Sequence, residues 1–244
     1  MDRLIYLSMA GAKATMQRQD VLAHNLANVS TAGFRAELQA FRAVPVLGDG
    51  ASTRVYALES TPGYSDQAGP VQSTGRPLDV AMKGNAWLAV QALDGTEAYT
   101  RAGALELDPE GNLVTANGLP VQGEGGPITV PAGAAVDIAG DGSVSATVGN
   151  GAPQLVGRLK LVTPEAPLDR GTDGLFRAAD GDLPADPNAR LQAGALEGSN
   201  VSAVETMVAM IAAARQFEQQ MQALKGAEQR DQTGQKLLGP ALGA

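Results

Sequence analysis

The chain has 244 residues, 44% of them hydrophobic and only 4% aromatic, with a formal net charge of −8. That length suffices for one large domain or two small ones with a core, while the acidic balance and 18 scattered Lys and Arg residues argue against binding nucleic acid or docking on an anionic membrane. Cysteine is absent, which excludes disulfides, thiolate nucleophiles and Cys-based metal sites.

Proline and glycine divide the chain into three regions. No proline precedes Pro45 and none lies between Pro187 and Pro240, whereas 23 of the 30 glycines fall between Gly48 and Gly194. The ends permit long helices, and the middle is punctuated like a turn-rich β domain. The expected class is α+β, with long amphipathic terminal helices forming a coiled-coil-like assembly domain around a central all-β domain. The expected divisions are an N-terminal helix over 1–35, an extended connector over 36–74, a β-rich domain over 75–195 and a C-terminal helix over 196–244.

In the first region Ile5, Met9, Ala12, Met16, Ala23 and Leu26 form a 4-3 stripe interrupted only by Gln19, the narrow seam of a coiled-coil-like helix. Ser30-Thr31-Ala32-Gly33 is turn chemistry, so the helix should stop near Asn28. Asn25 and Asn28 lie three apart and share a helix face, where their amides suit capping or contact with a neighbour. Asp2, Arg3, Ser8, Gly11 and Lys13 interrupt the apolar residues at the start, so no cleaved secretory signal is expected. No stretch approaches the ~18 apolar residues of a membrane-crossing helix.

The middle reads as short strands and tight turns. Asp79–Met82 and Trp87–Gln91 flank a Gly84-Asn85 turn signal, and Asp94-Gly95, Gly111-Asn112, Asn117-Gly118 and Asp141-Gly142 mark further hairpins. Gly157–Val162 reads as one more strand. The last region is the clearest helix. Ser199 is the expected N-cap, and Ala203, Met207, Met210, Ala214, Phe217, Met221 and Leu224 follow at unbroken 4-3 spacing among good helix formers. At ~1.5 Å per residue the two helices span about 40 and 50 Å, longer than a small domain is wide, so their seams call for other subunits.

No catalytic constellation emerges. His24 is the only histidine and lies in the N-terminal helix pattern. Asp108 with Glu110 and Asp137 with Asp141 fall at turn signals, where carboxylates build the turn. Gly123-Glu124-Gly125-Gly126 lacks the Lys-Ser/Thr of a phosphate loop. No cofactor or metal is expected.

The segment His24-Asn25-Leu26-Ala27-Asn28-Val29-Ser30-Thr31-Ala32-Gly33-Phe34-Arg35 resembles the N-terminal signature of bacterial flagellar axial proteins (rod and hook), with His24 in place of that family's first Asn. Arg76–Ala81, Ala98-Tyr99-Thr100-Arg101-Ala102-Gly103 and Leu196-Glu197-Gly198-Ser199-Asn200-Val201 resemble three further family segments in the same order. The opening Met1–Tyr6 and the moderate length are most similar to the proximal-rod members, with the distal-rod members next. The resemblance implies a structural subunit of the flagellar basal-body rod, exported by the flagellar type III apparatus without a cleaved signal and located in the periplasm-spanning rod. Its implied partners are copies of itself and other rod subunits, through terminal helices that form the axial tube. It implies no nucleic-acid partner and no membrane insertion. Outside the family, the competing reading is a β-rich ligand-binding module with helical tails.

Overall fold

The structure, a computed structural model, describes residues 3–45 and 55–238. It mixes helix and strand, with a largely β central region, and divides into two compact units. One contains residues 1–27, 37–63 and 202–244; the other contains residues 28–36 and 64–201.

In the first unit, helix α1 covers Arg3–Ala27 and helix α2 covers Ala203–Leu238. Neither contains proline, and α1 ends where the Asn28–Gly33 turn begins, with Thr31 N donating to Asn28 O at 3.1 Å. The two helices pack along each other, and α1 also touches the strand Glu37–Pro45. That strand pairs with Val55–Tyr64 in a two-stranded sheet, so the region expected as an extended connector contains two paired strands. Ser202, rather than Ser199, begins α2. Its Oγ accepts from Glu205 N at 3.4 Å and its carbonyl accepts from Thr206 N at 3.0 Å. Both serines satisfy a capping pattern, but Ser199 Oγ is taken by Val201 N in a local turn at 3.2 Å.

The β unit is built around a five-stranded sheet in the spatial order 161–162, 87–91, 97–100, 176–177, 169–170. Its longest strand, Trp87–Gln91, shows why both faces need cover. Side chains alternate with period two, so Leu88 and Val90 enter one core cluster with Leu105, Leu113 and Val121. Trp87 and Ala89 enter a second cluster with Tyr99, Val162 and Phe176. A three-stranded sheet, Ala134–Ile138, Ser143–Val148 and Gln154–Arg158, supplies Ile138 and Val144 to the first cluster.

The hairpin turns at Asp94-Gly95, Gly111-Asn112 and Asp141-Gly142 form between neighbouring strands as expected. The turn at Gly84-Asn85 does not make one: Val80–Met82 pairs with Leu191–Ala193, more than a hundred residues away. The expected single strand over 157–162 is split. Residues up to Arg158 pair with Ser143–Ala146, and Leu161–Val162 cross to pair with Trp87–Leu88. Buried Leu159 and the Lys160–Glu97 ion pair at 2.7 Å occupy the joint between those sheets.

Candidate assembly site

Helix α1 packs along α2, and the side chains most buried on the two helices are small. Ser8 and Thr15 are buried on α1, seven residues apart; Thr206, Ala213 and Ala227 are buried on α2 at multiples of seven. A seven-residue repeat keeps one line of each helix facing its neighbour. Two of the buried hydroxyls are satisfied inside their own helix: Thr15 Oγ1 donates to Gly11 O and Thr206 Oγ1 to Ser202 O, both at 2.8 Å. No desolvated donor is left at those points. Gly11 faces the Gln220 side chain, and a Cβ there would come within 3.0 Å of it.

The larger apolar residues sit beside that line, not on it. Of the residues expected at an interface on α1, Met9 and Met16 are exposed, Ala12, Leu26 and Asn28 are half-buried, and Asn25 is buried. Ile5 lies in α1, its side chain outside the described part. On α2, Met207 is exposed, while Ala203, Met210, Ala214, Phe217, Met221 and Leu224 are half-buried. A further exposed row was not picked out from the sequence: Val204, Val208 and Ile211 at 4-3 spacing on α2, with Tyr6 on α1. The signal for it was present, because the same helical spacing starts one residue after the seam at Ala203.

Asn25 binds a strand rather than a neighbouring turn of helix. Its Nδ2 donates to Glu37 O at 3.0 Å and its Oδ1 accepts from Glu37 N at 2.8 Å, so one amide imitates a strand partner for Glu37–Pro45. His24 Nδ1 lies 3.0 Å from Glu37 Oε2 beside it. Asn28 Oδ1 accepts from Thr31 Oγ1 at 3.1 Å, within the turn that follows the helix.

In the β unit the four family-like segments converge. Gly33 N donates to Glu197 O at 2.8 Å, and Asn200 N donates to Phe34 O at 3.3 Å. Ala36 N donates to Asn200 Oδ1 at 2.6 Å. Gly33 adopts φ +70°, and a Cβ on it would collide with the backbone of Arg101 and Ala102. Gly103 is equally confined, its missing Cβ replaced by Val80 O. At the centre sits the Glu197 carboxylate. Oε1 takes Arg35 Nη2 at 2.9 Å and Gly69 N at 3.0 Å, and Oε2 takes Arg101 Nε at 2.8 Å and Nη2 at 2.5 Å. Arg101 also reaches the carbonyls of Met82, Gly84 and Ala86.

Three family models match the chain. "Flagella basal body rod protein" matches residues 5–35, "Flagellar hook protein FlgE/F/G D1 domain" residues 81–146, and "Flagellar basal body rod FlgEFG protein C-terminal" residues 192–237. The flagellar basal-body rod proteins FlgF of Salmonella typhimurium and Escherichia coli are each 48% identical, over 98% of this chain and 99% of the relative. The rod protein FlgG of Bacillus subtilis is 33% identical over 88% of this chain and 91% of its own. The chain belongs to the flagellar basal-body rod protein family, F type. It is a structural rod subunit and not an enzyme.

Electrostatics in this rod subunit serve turns and joints. Burial pulls the Arg101 guanidinium below its ordinary pKa, Glu197 pulls it back up, and the Arg35 charge adds to the lowering. The Asp108 carboxylate is held below the usual range by the Asn112 side chain, and Asp141 by the Ser143 backbone and hydroxyl, each closing its own turn. A polar cleft of about 620 Å³ in the β unit is lined by the Lys160–Glu97 and Arg158–Glu124 ion pairs, so the charges facing it are matched within the chain. Glu197 does not start α2. It lies six residues before α2 and is buried, a carboxylate that joins segments rather than one that meets a helix end. Among the described residues no helix is long and apolar enough to cross a membrane, and no group of three or more acidic or histidine side chains is placed to hold a metal ion.

Proposed function

We propose that this chain is a proximal-rod subunit that associates with copies of itself and with other rod subunits through the rows of α1 and α2 that its own helix pair leaves uncovered. Residues 1–35 and 196–244 carry the assembly domain, the 36–74 segment is the connector, and residues 75–195 form the β-rich region. The assembled helices form a coiled-coil-like axial tube that transmits torque across the periplasm. The chain reaches that place through the flagellar type III export apparatus, without a cleaved signal and without entering the membrane.

One observation carries the reading. Tyr6, Met9 and Met16 on α1 and Val204, Met207, Val208 and Ile211 on α2 remain exposed although the two helices pack together. Large apolar side chains in contiguous helical rows mark an interaction surface. The two relatives at 48% identity are both F-type, while the G-type protein of Bacillus subtilis stands at 33%, as some F-type proteins do; the two at 48% support the proximal over the distal position.

The natural chain lacks cysteine, so single thiols can be introduced without background. Val208→Cys and Met16→Cys are each expected to cross-link one subunit to another in assembled material when a short bismaleimide is added. Neither should do so in dilute monomer. Cross-linking absent from assembled material at both positions would reject the helix rows as the subunit interface.

A further inference from the structure

The Arg35–Glu197–Arg101 cluster brings together three parts of the chain that are remote in sequence. Arg35 belongs to the segment 28–36 that follows α1, Glu197 to the segment 195–201 that precedes α2, and Arg101 to the loop after the central hairpin. All three side chains are almost wholly shielded from water. One carboxylate serves two guanidinium groups and one backbone amide, so the cluster holds two positive charges against one negative.

We infer that Arg35, Arg101 and Glu197 form a three-part clasp that makes docking of segments 28–36 and 195–201 onto the β unit a single event, neither segment being held unless both are.

The chemistry of each half-docked state argues for this. With 195–201 lifted away, Arg35 and Arg101 would be left as like charges in a dry site with no counter-ion, an arrangement far costlier than the intact pair. With 28–36 lifted away, Glu197 Oε1 loses Arg35, and three further hydrogen bonds break with it. Those are Gly33 N to Glu197 O, Asn200 N to Phe34 O and Ala36 N to Asn200 Oδ1. Asn200 Nδ2 adds bonds to Ser65 O and Gln67 O, and Arg35 Nη1 also donates to Gln67 O, so both segments grip the same stretch of chain. Strand Ala195–Glu197 further pairs with Val71–Ser73 and places the carboxylate. A half-docked state thus forfeits bonds belonging to both segments, and its population is expected to fall by at least about a hundredfold.

The test is native-state hydrogen exchange on the full-length chain, following the amides of Gly33 and Ala36 in one segment, Gly198 and Asn200 in the other, and Leu113 and Val121 in the core. Arg35→Met leaves the Arg101–Glu197 pair in place. The clasp predicts that all four segment amides lose protection together, by about tenfold or more and by factors within about threefold of one another, while the core amides hold. Loss confined to Gly33 and Ala36 would overturn it, as would unchanged protection at all four. Glu197→Gln should reproduce the joint loss more strongly. If it also exposes the core amides, Arg35→Met alone decides between the outcomes.

Discussion

Val208→Asp separates packing within the subunit from packing between subunits. Val204, Val208 and Ile211 are 71%, 61% and 56% exposed. A fully buried Val or Ile side chain contributes about 2 kcal/mol, so covering the exposed parts of these three releases about 4 kcal/mol per subunit, roughly a thousandfold in association. Aspartate at 208 removes about a third of that and sets an unpaired charge into the contact, which costs about 3 kcal/mol more. The monomer hardly registers the change, because an exposed substitution with little difference in helix propensity stays within about 0.5 kcal/mol, or about 2 °C in melting temperature. Ala213→Asp is the contrasting variant. Ala213 is 1% exposed between the helices, and a charge there is expected to loosen α2 itself. Sedimentation velocity over a concentration series reads assembly, and thermal melting by circular dichroism reads the monomer. Val208→Asp should raise the concentration needed for assembly at least tenfold with the melt unchanged. If assembly is unaffected, or if Val208→Asp lowers the melting temperature as much as Ala213→Asp, the division into an inner small row and an outer large row is wrong.

Gly33→Ala forces a Cβ into the Arg101 backbone at φ +70° and should destabilise the β unit by more than about 3 kcal/mol, read by denaturant unfolding followed through the emission of buried Trp87. Asn25→Ala removes two bonds to the Glu37 backbone and should speed exchange of the Glu37 amide about thirtyfold, or about 2 kcal/mol, with little effect on the β unit. Asp94, Asp108, Asp141 and Asp186 are held below the ordinary aspartate value of 3.8 by hydrogen bonds within their loops, chiefly from Thr96, Asn112, Ser143 and Thr163 respectively. A carboxylate whose folded pKa is depressed contributes stability above its unfolded value, and that contribution disappears as pH falls through the folded one. The melting temperature should therefore be level from about pH 7 to about pH 5 and drop below about pH 4, with Asp141→Asn costing more at neutral pH than in acid.

Local chemistry made much of this molecule legible, and long-range pairing hid the rest. The helices announced themselves through 4-3 spacing and the absence of proline. The hairpins at Asp94-Gly95, Gly111-Asn112 and Asp141-Gly142 were visible because a tight turn and its two strands are neighbours in sequence. Pairing of Val80–Met82 with Leu191–Ala193 has no such local mark. The joint at Leu159-Lys160 was also invisible, since its residues suit a strand and only the three-dimensional destination changes there. The role of Glu197 was hidden because an acidic residue shortly before a helix also suits the helix dipole; only the folded chain brings Arg35 and Arg101 to it. On the helices, reading for hydrophobicity selected the largest side chains. The line of most buried residues on α1 and α2 is made largely of Ser, Thr and Ala, which such a reading passes over.

That line has a consequence for how the two helix faces divide their work. The separation of packed helices depends on the side chains at the contact, and Ser8, Thr15, Thr206 and Ala213 are among the smallest available. Had Met9, Met16, Val208 and Ile211 occupied the inner line, the pair would bury its strongest apolar groups internally and present small polar residues outward. It would then have little reason to associate further. The observed order is the opposite. The inner row is small, and its Thr15 and Thr206 hydroxyls are satisfied within their own helices. The outer rows keep larger apolar side chains exposed, the arrangement expected of a surface that associates further.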